Sequence, residues 1–249
     1  MPTQELKLIL PDGTTDAALH TPDPDQPQPG ILLLPDVAGP RPVLDQVARD
    51  LAAQEYTVLL PNPFYRTGEP PLFHLPRKPG DPATAQRVAE LLAPLTPDAI
   101  DRDIAAWLDF LTLHPSVAPG PVAVVGFCIG GLMAFRAAAV RPAKVAVAVS
   151  FHGGRLYQAE DPNSAHRNLP KITARLYFGH AVEDKSMPSE AIAALDQALQ
   201  DWGGHYETEV YPGAHHGWTL ADNPTYNQPQ AERAFAKLTS ILKETFPVR

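Results

Sequence analysis

Along the 249-residue chain, short runs of apolar residues alternate with longer stretches in which apolar side chains recur every three or four positions. The runs are "ILLLPD" (31–36), "TVLLP" (57–61), "VAVVGF" (122–127), "KVAVAVS" (144–150), "TARLYFG" (173–179) and "HYETEVYP" (205–212). Several are apolar throughout, which predicts strands buried on both faces of a sheet. The stretches 42–56, 100–114, 131–140, 188–202 and about 229–245 carry the helical spacing. Strands alternating with helices predict an α/β fold, a mostly parallel central sheet covered by helices on both faces.

Segment 62–99 breaks the rhythm with prolines and one weaker helix near 83–93, and reads as an excursion over the carboxyl edge of the sheet. "TPDPDQPQPG" (21–30) is a polar loop. Residues 1–249 are expected to form a single domain. In open sheets ligands bind outside the carboxyl ends of the strands, so the loops after residues 34, 60, 126, 150, 178 and 211 are the places to search.

Composition narrows the function classes. The net charge is −8 and the basic residues are scattered, so nucleic acid has no electrostatic footprint. The longest apolar runs are strand-sized, too short to cross a bilayer. The opening "MPTQELKLILPDG" has no secretion-signal pattern, and the one cysteine cannot form an internal disulfide. A soluble, cytoplasmic protein, monomer or homodimer, is expected. The 29 prolines stiffen loops and say nothing about chemistry.

That one cysteine stands in "GFCIGG", as Gly126-x-Cys128-x-Gly130-Gly131, between a predicted strand and a predicted helix. A lone cysteine is often a small core hydrophobe. The context instead matches the nucleophile elbow G-x-S-x-G with sulfur for oxygen. Glycines relieve crowding in so tight a turn, and a helix starting just after Cys128 favours a thiolate and an oxyanion beside it. A base and an orienting acid are expected later in the chain, the acid first. "YPGAHHGW" (211–218) follows the last strand and offers His215 and His216; the His-Gly step favours His216. "YFGHAVEDKSMP" (177–188) follows the preceding strand and offers Glu183 and Asp184, of which Asp184 is preferred over its alternative as a helix-start aspartate. His20, His74, His114 and His166 lie in polar or loop-like surroundings and are expected to be solvated. His215 and His216 are neighbours whose side chains point apart, a poor chelate, so no metal and no cofactor is expected.

Together "GFCIGG", "EDKSMP" and "YPGAHHGW" resemble the dienelactone hydrolase family, cysteine-nucleophile members of the α/β-hydrolase superfamily, over nearly the whole chain from "LLPDVAGPRP" (33–42) to the final helix. The resemblance implies Cys128 as nucleophile, His216 as base, Asp184 as its orienting acid, and an oxyanion hole from the Ile129 and Val37 N–H groups. Where the family's best-known members carry a glutamate thought to help activate the thiol, this chain has Asp36, whose simpler role is a turn aspartate. The arginine that those members place shortly after the catalytic histidine, to hold a substrate carboxylate, has no counterpart: Leu220 follows, and no basic residue comes before Arg233. Arg66 is the candidate to approach the cleft instead. Phe64, Tyr65, Phe127, Trp218 and Tyr226 are candidate substrate walls, with core packing as their plain alternative, and His152 is expected to face the same cleft. The expected activity is hydrolysis of a small ester or lactone through a thioacyl-enzyme. The rivals are a binding or redox-responsive protein that uses Cys128 only as an oxidisable thiol, and an acyltransferase or thiol peptidase.

Overall fold

The computed structural model describes residues 2–22, 26–73 and 80–247. His74 lies outside them. Eight strands form one sheet: β1 (Thr3–Leu10), β2 (Gly13–His20), β3 (Gly30–Leu34), β4 (Thr57–Pro61), β5 (Val122–Phe127), β6 (Val145–Phe151), β7 (Arg175–Glu183) and β8 (Tyr206–His215), in the spatial order β1-β2-β4-β3-β5-β6-β7-β8. From β4 to β8 every neighbouring pair is parallel; β1 and β2 join as an antiparallel hairpin. The helices are α1 (Pro42–Ala52), α2 (Pro82–Leu92), α3 (Pro97–Leu113), α4 (Ile129–Val140), α5 (Ser189–Trp202) and α6 (Gln228–Thr245).

All residues of β3, β4 and β5 are buried, as their unbroken apolar runs require. Alternate residues feed two cores. Ile31 and Leu33 meet α1 and α6 on one face, while Leu32 and Leu34 meet α3 and α4 on the other. Trp107 of α3 is fully buried in the second core, where truncation to alanine would cost about 3–5 kcal/mol.

Two expectations change here. The hairpin β1–β2 was not anticipated, although Leu6, Leu8 and Leu10 alternate with polar or exposed positions and Pro11-Asp12 makes the two-residue turn, with Gly13 opening β2. His20 is buried rather than solvated, because it ends β2 beside β4, with Nδ1 3.1 Å from Thr3 Oγ1. His114 and His166 are half-buried, capping α3 and stacking on Tyr157. Segment 62–99 holds α2, whose first turn reaches the carboxyl edge of the sheet.

Candidate active site

The site begins where β5 hands over to α4. Cys128 sits between them at φ +56°, in the left-handed region that costs a non-glycine residue roughly 1–3 kcal/mol. The turn is so tight that a Cβ on Gly126 would lie 1.9 Å from the Gly130 carbonyl oxygen, and one on Gly130 would lie 2.4 Å from that of Leu34. Those two clashes are the physical content of the G-x-C-x-G spacing. α4 starts at the next residue, so unpaired N–H groups and the positive end of the helix dipole face the sulfur's surroundings.

β8 ends at His215, and Gly217 at φ +91° turns the chain so that His216 comes back over the sheet edge. The Thr225 hydroxyl donates to the His216 carbonyl at 2.7 Å and fixes the loop. His216 Nε2 lies 3.0 Å from Cys128 Sγ, and its Nδ1 lies 2.6 Å from Asp184 Oδ2. Asp184, at the end of β7, is buried; its other oxygen accepts the Ser186 backbone N–H at 2.8 Å and the Ser186 hydroxyl at 2.6 Å. Of the paired alternatives, His215 and Glu183 are exposed and 4.0 Å apart, away from the thiol.

Electrostatics follow from this geometry. Burial works against a charge on His216, but the Cys128 sulfur and the Asp184 carboxylate outweigh it and push its pKa up to about 11. Burial likewise works against charge on Asp184, and the bonds from His216 and Ser186 outweigh it, holding the carboxyl below its ordinary value. The imidazole, clamped between sulfur and carboxylate, is thus favoured in its charged form.

Cys128 and His216 open on a cavity of about 290 Å³. One wall is Asp36 and Val37, after β3; a second is Gly80, Asp81, Thr84 and Ala85, at the start of α2; a third is Gly217 and Asn223–Thr225. Asp81 accepts the Thr84 N–H at 2.8 Å, which anchors the second wall. Ile129 is the first residue of α4, where an N–H has no acceptor inside the helix, and Val37 lines the cavity opposite.

Other candidates are placed elsewhere. Asp36 lines the cavity, but its carboxylate is held by Arg41 (2.6 and 3.1 Å) and accepts the Ala38 N–H. Arg41 also binds Asp222, tying the first wall to the third. The substrate-binding expectation for Arg66 and Tyr65 is corrected: the Arg66 guanidinium binds buried Asp103 at 2.6 and 2.9 Å and Asp12 at 2.7 Å, and the Tyr65 hydroxyl donates to Asp103 at 2.9 Å. The same holds for the aromatics. Phe64 is buried with Leu72 and Leu91, behind Val37 and Ile129; Trp218 is buried against Tyr211; Phe127 stacks on Phe151; and Tyr226 is exposed outside the cavity lining. His152 does not line the cavity but lies beneath it, its Nδ1 accepting the Cys128 backbone N–H. Arg41, Ser186, Thr219 and Asn223 were not singled out from sequence, since each takes its meaning from a partner the fold brings to it. Among the described residues no group of three or more His, Cys, Asp or Glu could hold a metal ion, and no helix is long and apolar enough to cross a membrane.

The family model for the dienelactone hydrolase family matches residues 15–246. The chain belongs to that family. An assigned 2-oxo-3-(5-oxofuran-2-ylidene)propanoate lactonase of Bradyrhizobium sp is 25% identical over 210 residues, covering 83% of this chain and 80% of the relative. An assigned carboxymethylenebutenolidase of Escherichia coli K12 is 25% identical over 228 residues, covering 88% and 78%. The crystal structure of an assigned dienelactone hydrolase from Klebsiella pneumoniae superposes with a TM-score of 0.83 at 20% identity, covering 96% of this chain and 97% of that one, and shows the shared fold. This member of the dienelactone hydrolase family has the α/β-hydrolase fold and is an ester or lactone hydrolase.

Proposed function

We propose that this hydrolase cleaves small esters or lactones through a Cys128–His216–Asp184 triad and a thioacyl-enzyme. The observation that carries the reading is the unbroken contact from Sγ through the imidazole to the buried carboxylate, at 3.0 and 2.6 Å. The Cys128 thiolate attacks the acyl carbon, and the oxyanion that forms is held by the Ile129 and Val37 N–H groups. As the carbon–oxygen bond breaks, the His216 imidazolium gives its Nε2 proton to the leaving alkoxide. The now neutral imidazole takes a proton from water, whose oxygen attacks the thioester; the acid leaves and the thiolate is restored. Asp184 keeps Nδ1 protonated throughout, so Nε2 always faces the reacting atoms. Because Asp36 is held by Arg41, proton handling is assigned to His216 alone, and Asp36 shapes the wall that carries Val37. A thiolate expels an alkoxide more readily than an amine, which ranks esters above peptides. The cavity, at about 290 Å³, fits a small substrate. The lactonase and carboxymethylenebutenolidase assignments of the relatives support including lactones.

The test is turnover of short aryl esters and unsaturated lactones, a dienelactone among them, by wild type and Cys128→Ala. The alanine variant is expected to lose at least about 10⁴-fold in kcat. Mass spectrometry of wild type quenched in turnover should add one acyl group, mapped to Cys128. Equal turnover by both proteins, or rapid alkylation of Cys128 with no turnover of any panel member, would sink the proposal; the second result would favour a reactive-thiol binding protein.

A further inference from the structure

His152 follows β6 and is 1% exposed. Its backbone is at φ +41°, a left-handed conformation that a bulky side chain adopts only where the surroundings force it. The surroundings here are three pieces of the candidate site. The backbone N–H of His152 donates to the Gly179 carbonyl on β7 at 2.8 Å. The ring Nδ1 accepts the Cys128 N–H at 3.1 Å, an N–H that also reaches the Phe151 carbonyl at 3.0 Å. Nε2 lies 2.8 Å from the Thr219 hydroxyl, three residues beyond His216. The ring stands edge-on to His216, with 5.2 Å between centroids, and is backed by Trp218 at 5.0 Å.

These contacts fix the protonation state. An Nδ1 that accepts a backbone N–H carries no proton, so the proton is on Nε2 and is donated to Thr219. Charging the ring would put a second donor against the Cys128 N–H and a second cation beside His216. Burial first, and the neighbouring His216 charge next, hold the His152 pKa well below the ordinary value.

We infer that His152 is a positioning residue for the thiol–imidazole pair: its Nδ1 pins the strained Cys128 peptide from below, and its Nε2 anchors the loop that carries His216. The inference rests on the reading that Cys128 and His216 react together. Histidine suits the place because a single rigid ring offers an acceptor on one side and a donor on the other, and can hold both catalytic loops in one fixed relation. Two amides divide that role. Asparagine puts an acceptor oxygen where Nδ1 stands and leaves Thr219 without a partner. Glutamine puts a donor where Nε2 stands and abandons the Cys128 peptide.

The experiment compares wild type, His152→Asn, His152→Gln and Cys128→Ala in ester turnover, in the rate of Cys128 alkylation by iodoacetamide from pH 5 to 9, and in melting temperature. His152→Gln is expected to lose about 100-fold in kcat with little change in KM, the cost of misplacing a reacting group by around an ångström. Its alkylation rate should fall and its pH profile should move. His152→Asn is expected to recover at least about tenfold of that kcat, and the wild-type alkylation profile, whatever its melting temperature. If either histidine variant fails to fold, Thr219→Val removes the far anchor from an otherwise intact ring and should lower kcat in the same direction by a smaller factor. Wild-type kcat in His152→Gln and Thr219→Val overturns the inference, as does equal loss in Asn and Gln variants that follows melting temperature. Loss of turnover in Cys128→Ala with no effect in these variants overturns this inference alone, whereas full activity of Cys128→Ala overturns the triad reading as well.

Discussion

Asp36 and Asp184 are the same device in two loops. Each follows a parallel strand at the carboxyl edge of the sheet, each is buried, and each uses one oxygen to accept the N–H two residues further on, Ala38 in one case and Ser186 in the other. That local pattern is an ordinary aspartate turn. The difference is the cation each carboxylate meets. Asp184 meets an imidazole that passes its other nitrogen to sulfur, while Asp36 meets the guanidinium of Arg41, which ends at Asp222. An imidazole can give up a proton and a guanidinium does not, so one loop can move protons and the other can only hold shape. Role here is decided by the partner, not by the turn.

The largest effect that would test this contrast is Asp184→Asn. The amide can no longer hold Nδ1 protonated and cannot balance the imidazolium, so kcat is expected to fall by about 10⁴-fold. Asp36→Asn removes an equally buried carboxylate from the same sheet edge, yet Arg41 keeps Asp222, and kcat should fall far less. Comparable losses in the two variants, measured on one ester, would erase the distinction.

Stability separates the loops in the other direction. Arg41 stays charged although burial opposes it, because Asp222 and Asp36 hold it. Arg41→Met leaves Asp36 buried without its cation and should cost about 3–5 kcal/mol in denaturant unfolding. A loss under about 1 kcal/mol would show that the clamp contributes no more than an exposed pair.

The acid side of the contrast can be read in pH. The folded His216 value, about 11, lies above the unfolded one, so its contribution is complete below pH 6.5 and is lost as pH rises toward 11. Asp184 is depressed, so its contribution is present above its unfolded value near 3.8 and is lost as pH falls through the folded one. The melting-temperature gap between wild type and Asp184→Asn should therefore be wide at neutral pH, begin to narrow as pH falls below about 4, and close only below the depressed folded value of Asp184. A gap independent of pH would mean that Asp184 acts through packing rather than charge.

What the sequence made legible tracks how local the physics is. The elbow could be read from six residues, because a side chain at Gly126 would collide within those same residues and one at Gly130 with the end of the adjacent strand. That Asp184 and His216 would come together beside Cys128 could be read because strand ends in an open sheet converge. Arg41 could not, since its meaning depends on Asp222, 181 positions away. Arg66 and Tyr65 misled for the same reason: their place after β4 pointed to the cleft, but buried Asp103 on α3 draws both away. His152 was found at the right edge and assigned the wrong side, because the direction of a residue at positive φ cannot be read from strand alternation. The β1–β2 hairpin stands apart: its alternation and turn are local and legible, but it pairs antiparallel at the sheet edge, outside the strand–helix rhythm of the parallel core.

The finest version of the contrast concerns the far end of the clamp. Asp222 is only partly buried and binds Arg41 at 2.6 and 3.0 Å, so Asp222→Asn keeps the shape and removes one charge. Arg41 then retains Asp36, and the loss of a charge-assisted bond at a site open to water should cost about 1 kcal/mol, with kcat unchanged. If kcat fell with stability preserved, Arg41 would be adjusting the distance between the Val37 and Asn223 walls rather than merely joining them. The Asp36 loop would then share in catalysis through geometry, and the division between a loop that moves protons and a loop that holds shape would have to be redrawn.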